Sequence, residues 1–211
     1  MPANRREIMA NPASLSDEPK PSPDQLLQGL EGVAAARKRG PAPVHLWNPP
    51  FCGDIDMRIA GDGTWFYMGS PIGRAPLVQL FASILRKDED RFVLVTPVER
   101  VGIKVDDAPF LAVELLTAHA NGAPVLTFRT NVDDFVTVDR DHPLRFERGA
   151  SEGLKPYVLV RGGLWALVKR ALFYDLAALG ERSDWQGENW FGVRSSGIFF
   201  PMTKASELEG L

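Results

Sequence analysis

The sequence predicts an α+β protein built from two related units, each an antiparallel sheet with one helix. The main observation is an apolar stripe with the spacing of an amphipathic helix, which occurs twice. The first stripe is Leu77, Leu80, Phe81, Ile84 and Leu85, and the second is Leu164, Leu167, Val168, Ala171 and Leu172. Alternating apolar residues, typical of strands with one buried face, precede both stripes. A duplicated unit forms a seam between its copies, and ligands often bind at such seams.

The N-terminal part of the chain is expected to hold an arm, a helix and the first unit. Residues 1–23 are rich in Pro, Ser, Asp and Asn, which predicts a disordered arm. Pro23-Asp24 opens a leading helix that ends near the basic run Arg37-Lys38-Arg39, and residues 40–43 form a Gly/Pro linker. With this helix, the first unit is assigned to residues 24–107.

A strand, a turn and a return strand come before the first helix. Ile55, Met57 and Ile59 alternate with polar residues, and Gly61-Asp62-Gly63 tolerates the positive φ angles of a tight turn. Residues 64–68 return as the second strand. After the helix, the apolar residues of segments 92–95 and 98–105 predict two more strands.

The second unit is assigned to residues 108–204. Segments 110–118 and 124–128 are predicted to pair as a hairpin around Asn121-Gly122, a strong turn signal. Segments 135–138 and 144–146 are predicted to form a second hairpin before the second helix, and 190–193 a strand after it. We therefore expect residues 54–95 to superpose on residues 135–193.

Composition excludes several classes of protein. The net charge of -3 argues against an extended nucleic-acid-binding surface, which would be basic. Cys52 is the single cysteine, so no intramolecular disulfide can form, and a reducing compartment fits. No apolar run approaches the roughly 20 residues of a membrane span, and the first residues lack the apolar region of a signal peptide. We expect a cytoplasmic protein without a membrane span.

Arg74 and Arg161 are the first candidate ligand-binding residues, because each stands three residues before an apolar stripe. At the N-terminus of a helix a cation is unfavourable unless something negative joins it. A bound anion there would meet free backbone N–H groups and a guanidinium, and Ser70 would let it approach the backbone. An internal ion pair with Asp or Glu explains the two arginines equally well.

Glu99 is the second candidate. It shares strand parity with Val101 and Ile103, so it points to their buried face, where a carboxylate must be paired or have a raised pKa. If Glu99 is paired, it would orient Arg74 or Arg161. Alternatively, it lies at the start of the strand, where this face is still exposed to solvent.

Four further residues complete the predicted site. Thr96 and Asn131 could donate hydrogen bonds to a ligand, and Trp65 or Tyr157 could stack on its ring. Turn chemistry explains Asn131 as well, and core packing explains the aromatic residues.

Catalytic patterns are weak. The chain has no GxxxxGK[ST] loop, no GxGxxG after a strand and no GxSxG elbow. His45, His119 and His142 lack metal-ligand spacing, and Cys52 has no motif around it. The sequence therefore predicts neither a cofactor nor a metal.

Five longer segments together resemble a bacterial family, domain of unknown function 1285. They are DGTWFYMGSPIGR (62–74), LVQLFASILR (77–86), LVTPVERVGIKVDDAPF (94–110), FRTNVDDFVTVDRDHPLRF (128–146) and PYVLVRGGLWALVKR (156–170). The resemblance covers roughly residues 44–200. It implies two related halves, the second loosely like a pleckstrin-homology barrel. It also implies a crevice between them for a nucleotide-like or nucleic-acid-derived ligand in signal transduction.

Three hypotheses follow. The first is a non-enzymatic module that holds a small anionic or nucleotide-like ligand between the two repeats. The second is a hydrolase or transferase acting on a phosphorylated metabolite, with Glu99, His142 or the pair Asp133-Asp134 as its base. The third is an interaction scaffold that binds a protein partner through the pleckstrin-like half and the arm.

Overall fold

The computed structural model describes residues 42–149 and 153–208. The predicted arm at residues 1–23 and the leading helix lie outside the described residues. In the part of the chain described, no helix is long and apolar enough to cross a membrane.

The first half is a six-stranded sheet with one helix. Its elements are β1 (Phe51–Ile59), β2 (Trp65–Tyr67), β3 (Ser70–Pro71), α1 (Ala75–Ser83), β4 (Leu85–Asp88), β5 (Arg91–Val95) and β6 (Arg100–Val105). The strand order is β3-β2-β1-β6-β5-β4. Met57 and Ile59 of β1 are buried, as their alternation predicts, and Trp65 of β2 stacks on Phe81 of α1 with ring centres 6.2 Å apart. The first predicted helix and four strands around it are present. However, α1 ends before Leu85, the last residue of the predicted stripe, which instead begins β4, and neither β3 nor β4 was predicted.

The second half is a second six-stranded sheet, followed by a helix and a smaller sheet. Its elements are β7 (Phe110–Ala120), β8 (Ala123–Thr130), β9 (Phe135–Thr137), β10 (Leu144–Arg148), β11 (Leu154–Arg161), β12 (Leu164–Val168), α2 (Arg170–Ala178), β13 (Glu181–Trp185), β14 (Glu188–Ser195) and β15 (Ile198–Lys204). The larger sheet has the order β10-β11-β12-β7-β8-β9, and the smaller one β13-β14-β15. The predicted hairpin around Asn121-Gly122 is present as β7 and β8.

The two large sheets share one topology. Read from its other edge, the second sheet is β9-β8-β7-β12-β11-β10, which is the first order with six added to each strand number. The central pairs correspond too, since β1 runs parallel to β6 and β7 runs parallel to β12. This arrangement is consistent with a duplicated α+β fold. The predicted sheets were wrong in one respect: both are mixed rather than purely antiparallel.

The predicted superposition of residues 54–95 on residues 135–193 is wrong. β9 and β10, predicted to form one hairpin, lie at opposite edges of their sheet. Helix α1 connects β3 to β4, but the corresponding connection from β9 to β10 contains no helix, and α2 follows β12 instead. The repeating unit is therefore the six-stranded sheet, and it begins at β1 and at β7.

The second predicted helix was placed too early. Leu164, Ala166 and Val168 are buried and alternate with the partly exposed Trp165 and Leu167, which is the pattern of a strand. This segment has apolar residues at nearly every position, so helical and strand spacing fit it equally well. The segment forms a strand because it pairs with β7 and β11, and α2 begins only at residue 170.

The smaller sheet closes the second half into a curled half-barrel. Strand β14 packs against β8, and β15 packs against β10. Ser195 is fully buried at this junction, where its Oγ accepts the Leu126 N–H at 2.9 Å and donates to the Val138 carbonyl at 2.7 Å. One continuous apolar core contains residues of both halves.

Candidate functional site

The two predicted arginines lie in different settings. Arg74 caps α1 and is exposed, and its side chain has no polar partner among the described residues. Ser70, on the edge strand β3, is exposed as well. The predicted position of Arg161 is wrong, because it ends strand β11 and α2 begins nine residues later (170 − 161). Only Arg74 therefore combines a free guanidinium with a helix N-terminus.

The guanidinium of Arg161 joins the two halves. It donates to the Asp134 carboxylate at 2.5 Å and to the Ala82 carbonyl, near the end of α1, at 2.8 Å. Its central carbon lies 5.0 Å from the centre of the Phe110 ring, within cation–π range. The internal ion pair that the sequence left open as an alternative is thus present, with Asp134 rather than Glu99.

Direct protein contacts also fill the seam beside Arg161. Asn131 accepts the Leu111 N–H at 3.0 Å through its side-chain oxygen, and it lies against Gly63 in the β1–β2 turn. Gln79 of α1 donates to Asp133 at 2.8 Å. These contacts give Asn131 a structural role, and contact with a ligand stays a prediction.

The two predicted stacking residues are buried. Trp65 is 1% exposed and Tyr157 is 3% exposed. The Tyr157 hydroxyl donates to Asp107 at 2.7 Å, and burial together with this bond raises the pKa of Tyr157 above its ordinary value. Neither ring face is open to a ligand arriving from solvent.

Thr96 and Glu99 form the turn between β5 and β6. The fully buried Thr96 accepts the Glu99 N–H at 3.2 Å through its hydroxyl, so it stabilises the turn. The Oε1 atom of Glu99 is buried without a hydrogen-bond partner among the described residues, and burial raises the pKa of this carboxyl. The raised pKa matches one of the alternatives that the sequence left open for Glu99.

A cavity on the first half brings together residues that the sequence did not single out. It has a volume of about 1190 Å³ and is open to solvent. We call it the arginine cavity, after three of the residues that line it: His45, Trp47, Asn48, Phe51, Arg86, Asp88, Glu89, Asp90, Arg91, Val93 and Arg100. They come from the lead-in to β1, from strands β1, β4, β5 and β6, and from the turn between β4 and β5.

On the inner wall of the arginine cavity two arginines share one carboxylate, although the full lining balances three arginines against three carboxylates. Arg86 pairs with both oxygens of Asp88, and Arg100 donates to the same carboxylate at 2.8 Å. These side chains are only 15%, 26% and 26% exposed, in the order Arg86, Asp88, Arg100. Hydrogen bonds from Arg86 and then Arg100 hold the pKa of Asp88 below its usual value, although burial opposes this. Two fixed positive charges therefore share one negative charge.

Arg86 makes four hydrogen bonds with its five N–H groups, whereas a buried N–H of Arg100 has no partner in the described part of the chain. Arg86 donates to the Val44 and Trp47 carbonyls as well as to Asp88. The Nε atom of Arg100 is buried and has no hydrogen-bond partner among the described residues. An unpaired donor on a partly buried cation is costly, which identifies Arg100 as the unsatisfied group of the cavity.

The outer wall combines an aromatic ring with a third guanidinium. Phe51 is 42% exposed, and the guanidinium carbons of Arg91 and Arg100 lie 4.9 and 6.0 Å from its ring centre. Arg91 also donates to the exposed Asp54 carboxylate at 3.1 Å. Such a surface can hold an anionic group beside a planar apolar one.

Sequence reasoning had little chance of finding this cavity. Arg86 and Asp88 share a strand face through their i, i+2 spacing, which is a usable signal. Nothing local connects them to Phe51 or to Arg100, which reach the cavity only through the parallel pairing of β1 with β6. No group of three or more metal-ligating side chains occurs in residues 42–149 and 153–208.

Comparison with known proteins places the chain in a family. The model described as "Domain of unknown function (DUF1285), N-terminal domain" matches residues 42–108, and that described as "Protein of unknown function (DUF1285), C-terminal domain" matches residues 109–202. The chain belongs to the DUF1285 family. The resemblance found in the sequence is confirmed, and the family description assigns no activity.

Two solved structures of DUF1285 family proteins are similar to this chain. One, from Silicibacter pomeroyi DSS-3, is 55% identical with a TM-score of 0.76, and the match covers 84% of this chain and 97% of that one. The other, from Shewanella baltica OS155, is 31% identical with a TM-score of 0.47 and covers 56% of this chain and 87% of that one. A search of curated proteins found no match.

Proposed function

We propose that this DUF1285 protein is a non-enzymatic binding module that holds a small anionic ligand in the arginine cavity. The observation that supports this is the half-buried cluster in which Arg86 and Arg100 share Asp88, while the Arg100 Nε has no partner. Partly buried cations need compensating charge because their solvation is incomplete. An anion bound beside Arg100 supplies it.

The form of the cavity favours a small ligand with a flat group. Phe51 and Trp47 offer apolar surface next to the guanidiniums, which fits a nucleotide-like ligand with its ring against the aromatic side chains. Glu89 and Asp90 also line the cavity, so a small anion would have to lie against the arginines and away from these two carboxylates, which also disfavour a long polyanion such as a nucleic acid strand. The signalling role and the pleckstrin-homology likeness of the second half stay part of this proposal, the latter supported by the curled half-barrel.

The N-terminus of α1 remains a second candidate site, since Arg74 and the nearby Ser70 are both exposed. The test is a thermal-shift and calorimetric screen with inorganic phosphate, pyrophosphate and a set of nucleotides, run on the full chain and on Arg100→Gln. Losing one charge-assisted contact should cost about 1.5–3 kcal/mol of affinity, roughly tenfold to a hundredfold. The melting curve of Arg100→Gln alone shows whether the variant is folded.

Arg74→Gln is the matched control, because it removes the same charge at an exposed site. It should leave binding unchanged if the anion lies in the arginine cavity. Loss of binding in Arg74→Gln but not in Arg100→Gln would move the site to the N-terminus of α1. No binding of any anion to the wild-type protein would contradict the proposal altogether.

A further inference from the structure

The strand β7 extends past its neighbour on one side. β12 pairs only with residues 110–112 of β7, and the Lys169 N–H donates to the Ala112 carbonyl just beyond. From residue 114 to residue 120, β7 pairs with β8 alone in the described structure. Residues 116–120 are exposed, so the outer edge of β7 is open there. On the other side of the hairpin, β8 is held by β9 and by hydrogen bonds to residues 138, 195 and 196.

The turn of the hairpin determines which backbone groups face outward. Asn121 and Gly122 have φ angles of 52° and 77°, the left-handed values of a two-residue hairpin turn, which is closed by Ala120 and Ala123. The closing pair exchanges hydrogen bonds, and bonding then alternates along an antiparallel ladder. Leu115, Thr117 and His119 therefore direct their N–H and C=O groups away from β8.

Helix α2 packs against β7, but in residues 42–149 and 153–208 no strand pairs with the outer edge of β7 at its exposed end. Natural proteins cover exposed edges or place charged residues and Pro on them. Residues 115–120 read LLTAHA, and no Asp, Glu, Lys, Arg or Pro occurs among them. An exposed strand edge without charged residues is a template for pairing with another strand.

We propose that the partner is a second copy of this chain, paired antiparallel through residues 115–119 of β7 about a two-fold axis at Thr117. The three outward-facing residues are symmetric about that axis. Thr117 then pairs with the partner's Thr117, and Leu115 with the partner's His119. The paired β7 strands join the sheets of the two copies into one continuous sheet, and the interface is isologous, as in most homodimers.

Charge supports self-pairing in this register. Residues 115–128 contain no Asp, Glu, Lys or Arg, so no like charges meet along the edge. Glu114, the nearest acid, lies opposite the partner's Ala120 and is already paired with Arg129 at 2.6 Å within its own chain. Like charges directly opposite each other would destabilise a sheet, and here they are avoided.

The test is the mass of the full chain in solution, measured by light scattering and sedimentation over a wide range of concentrations. The wild-type protein should be a dimer at the higher concentrations. Thr117→Lys places two ammonium groups opposite each other and should give a monomer, and so should Thr117→Glu. Mixing the two variants should restore a dimer that contains one copy of each. Asn189→Lys, at an exposed position on β14, should leave the dimer intact.

A second measurement does not depend on charge. In a Cys52→Ser background, Thr117→Cys should oxidise to a disulfide-linked dimer, because directly paired residues on adjacent strands lie within disulfide reach. A wild-type protein that stays monomeric throughout, or a Thr117→Lys variant that remains dimeric, would overturn the proposal. If β7 instead binds another protein, the pure chain is monomeric, and the proposal also fails.

Discussion

Arg161 shows how one side chain can hold two halves of a protein together. Arg161→Gln removes the ion pair with Asp134 and weakens the bond to the Ala82 carbonyl. We expect it to lower the free energy of unfolding by about 1.5–3 kcal/mol, toward the lower end because the side chain is 31% exposed. Urea denaturation measures this. Arg74→Gln, at an exposed position, should change stability by less than about 0.5 kcal/mol, and equal effects would contradict the assignment.

Glu99 should destabilise the folded protein when it is ionised. Burial raises its pKa, so the folded state holds the proton more tightly than the unfolded chain does. As pH rises above the unfolded value of about 4.3, ionisation therefore favours unfolding. Glu99→Gln should raise the melting temperature at neutral pH, and the gain should disappear below about pH 4. Asp56→Asn, at an exposed carboxylate, should show no such pH-dependent gain.

At the scale of elements, local patterns predicted most strands and one of the two helices described. Ile55, Met57 and Ile59 alternate strictly, and Asn121-Gly122 demands a tight turn, so each segment permits one structure. Residues 164–168 fit both a helix and a strand, since apolar side chains would occupy both faces of a strand. Only the pairing with β7 shows that they form a strand. Sequence patterns also could not say which strands pair, because that depends on contacts far apart in the chain.

At the scale of the whole molecule, the structure is consistent with the expected duplication, but not for the reason that the sequence offered. The second apolar stripe lies mostly in β12, and the shared strand order with its parallel central pair appears only in three dimensions. The arginine cavity could not be predicted from the sequence for the same reason. Phe51, Arg86 and Arg100 come from three strands, and no spacing along the sequence indicates that β1 and β6 lie side by side.

If the two halves share one core, a disturbance at their seam should destabilise both together. Gly63 has a φ of +82°, and a Cβ there would lie 2.9 Å from both the Asn131 amide nitrogen and a Leu111 methyl carbon. Gly122 has a similar φ of +77° but open space around it. Gly122→Ala should therefore cost only the left-handed strain, about 1–2 kcal/mol.

Gly63→Ala should cost that strain plus about 1–3 kcal/mol for overpacking. Urea unfolding followed by tryptophan fluorescence and by circular dichroism should show one transition that shifts as a whole, because the apolar core runs through both halves. Equal costs for the two glycines would mean that the β1–β2 turn is not packed against Asn131. Two separate transitions, with only one of them shifted, would mean that the halves fold independently and that Arg161 and Asn131 merely touch across a loose junction.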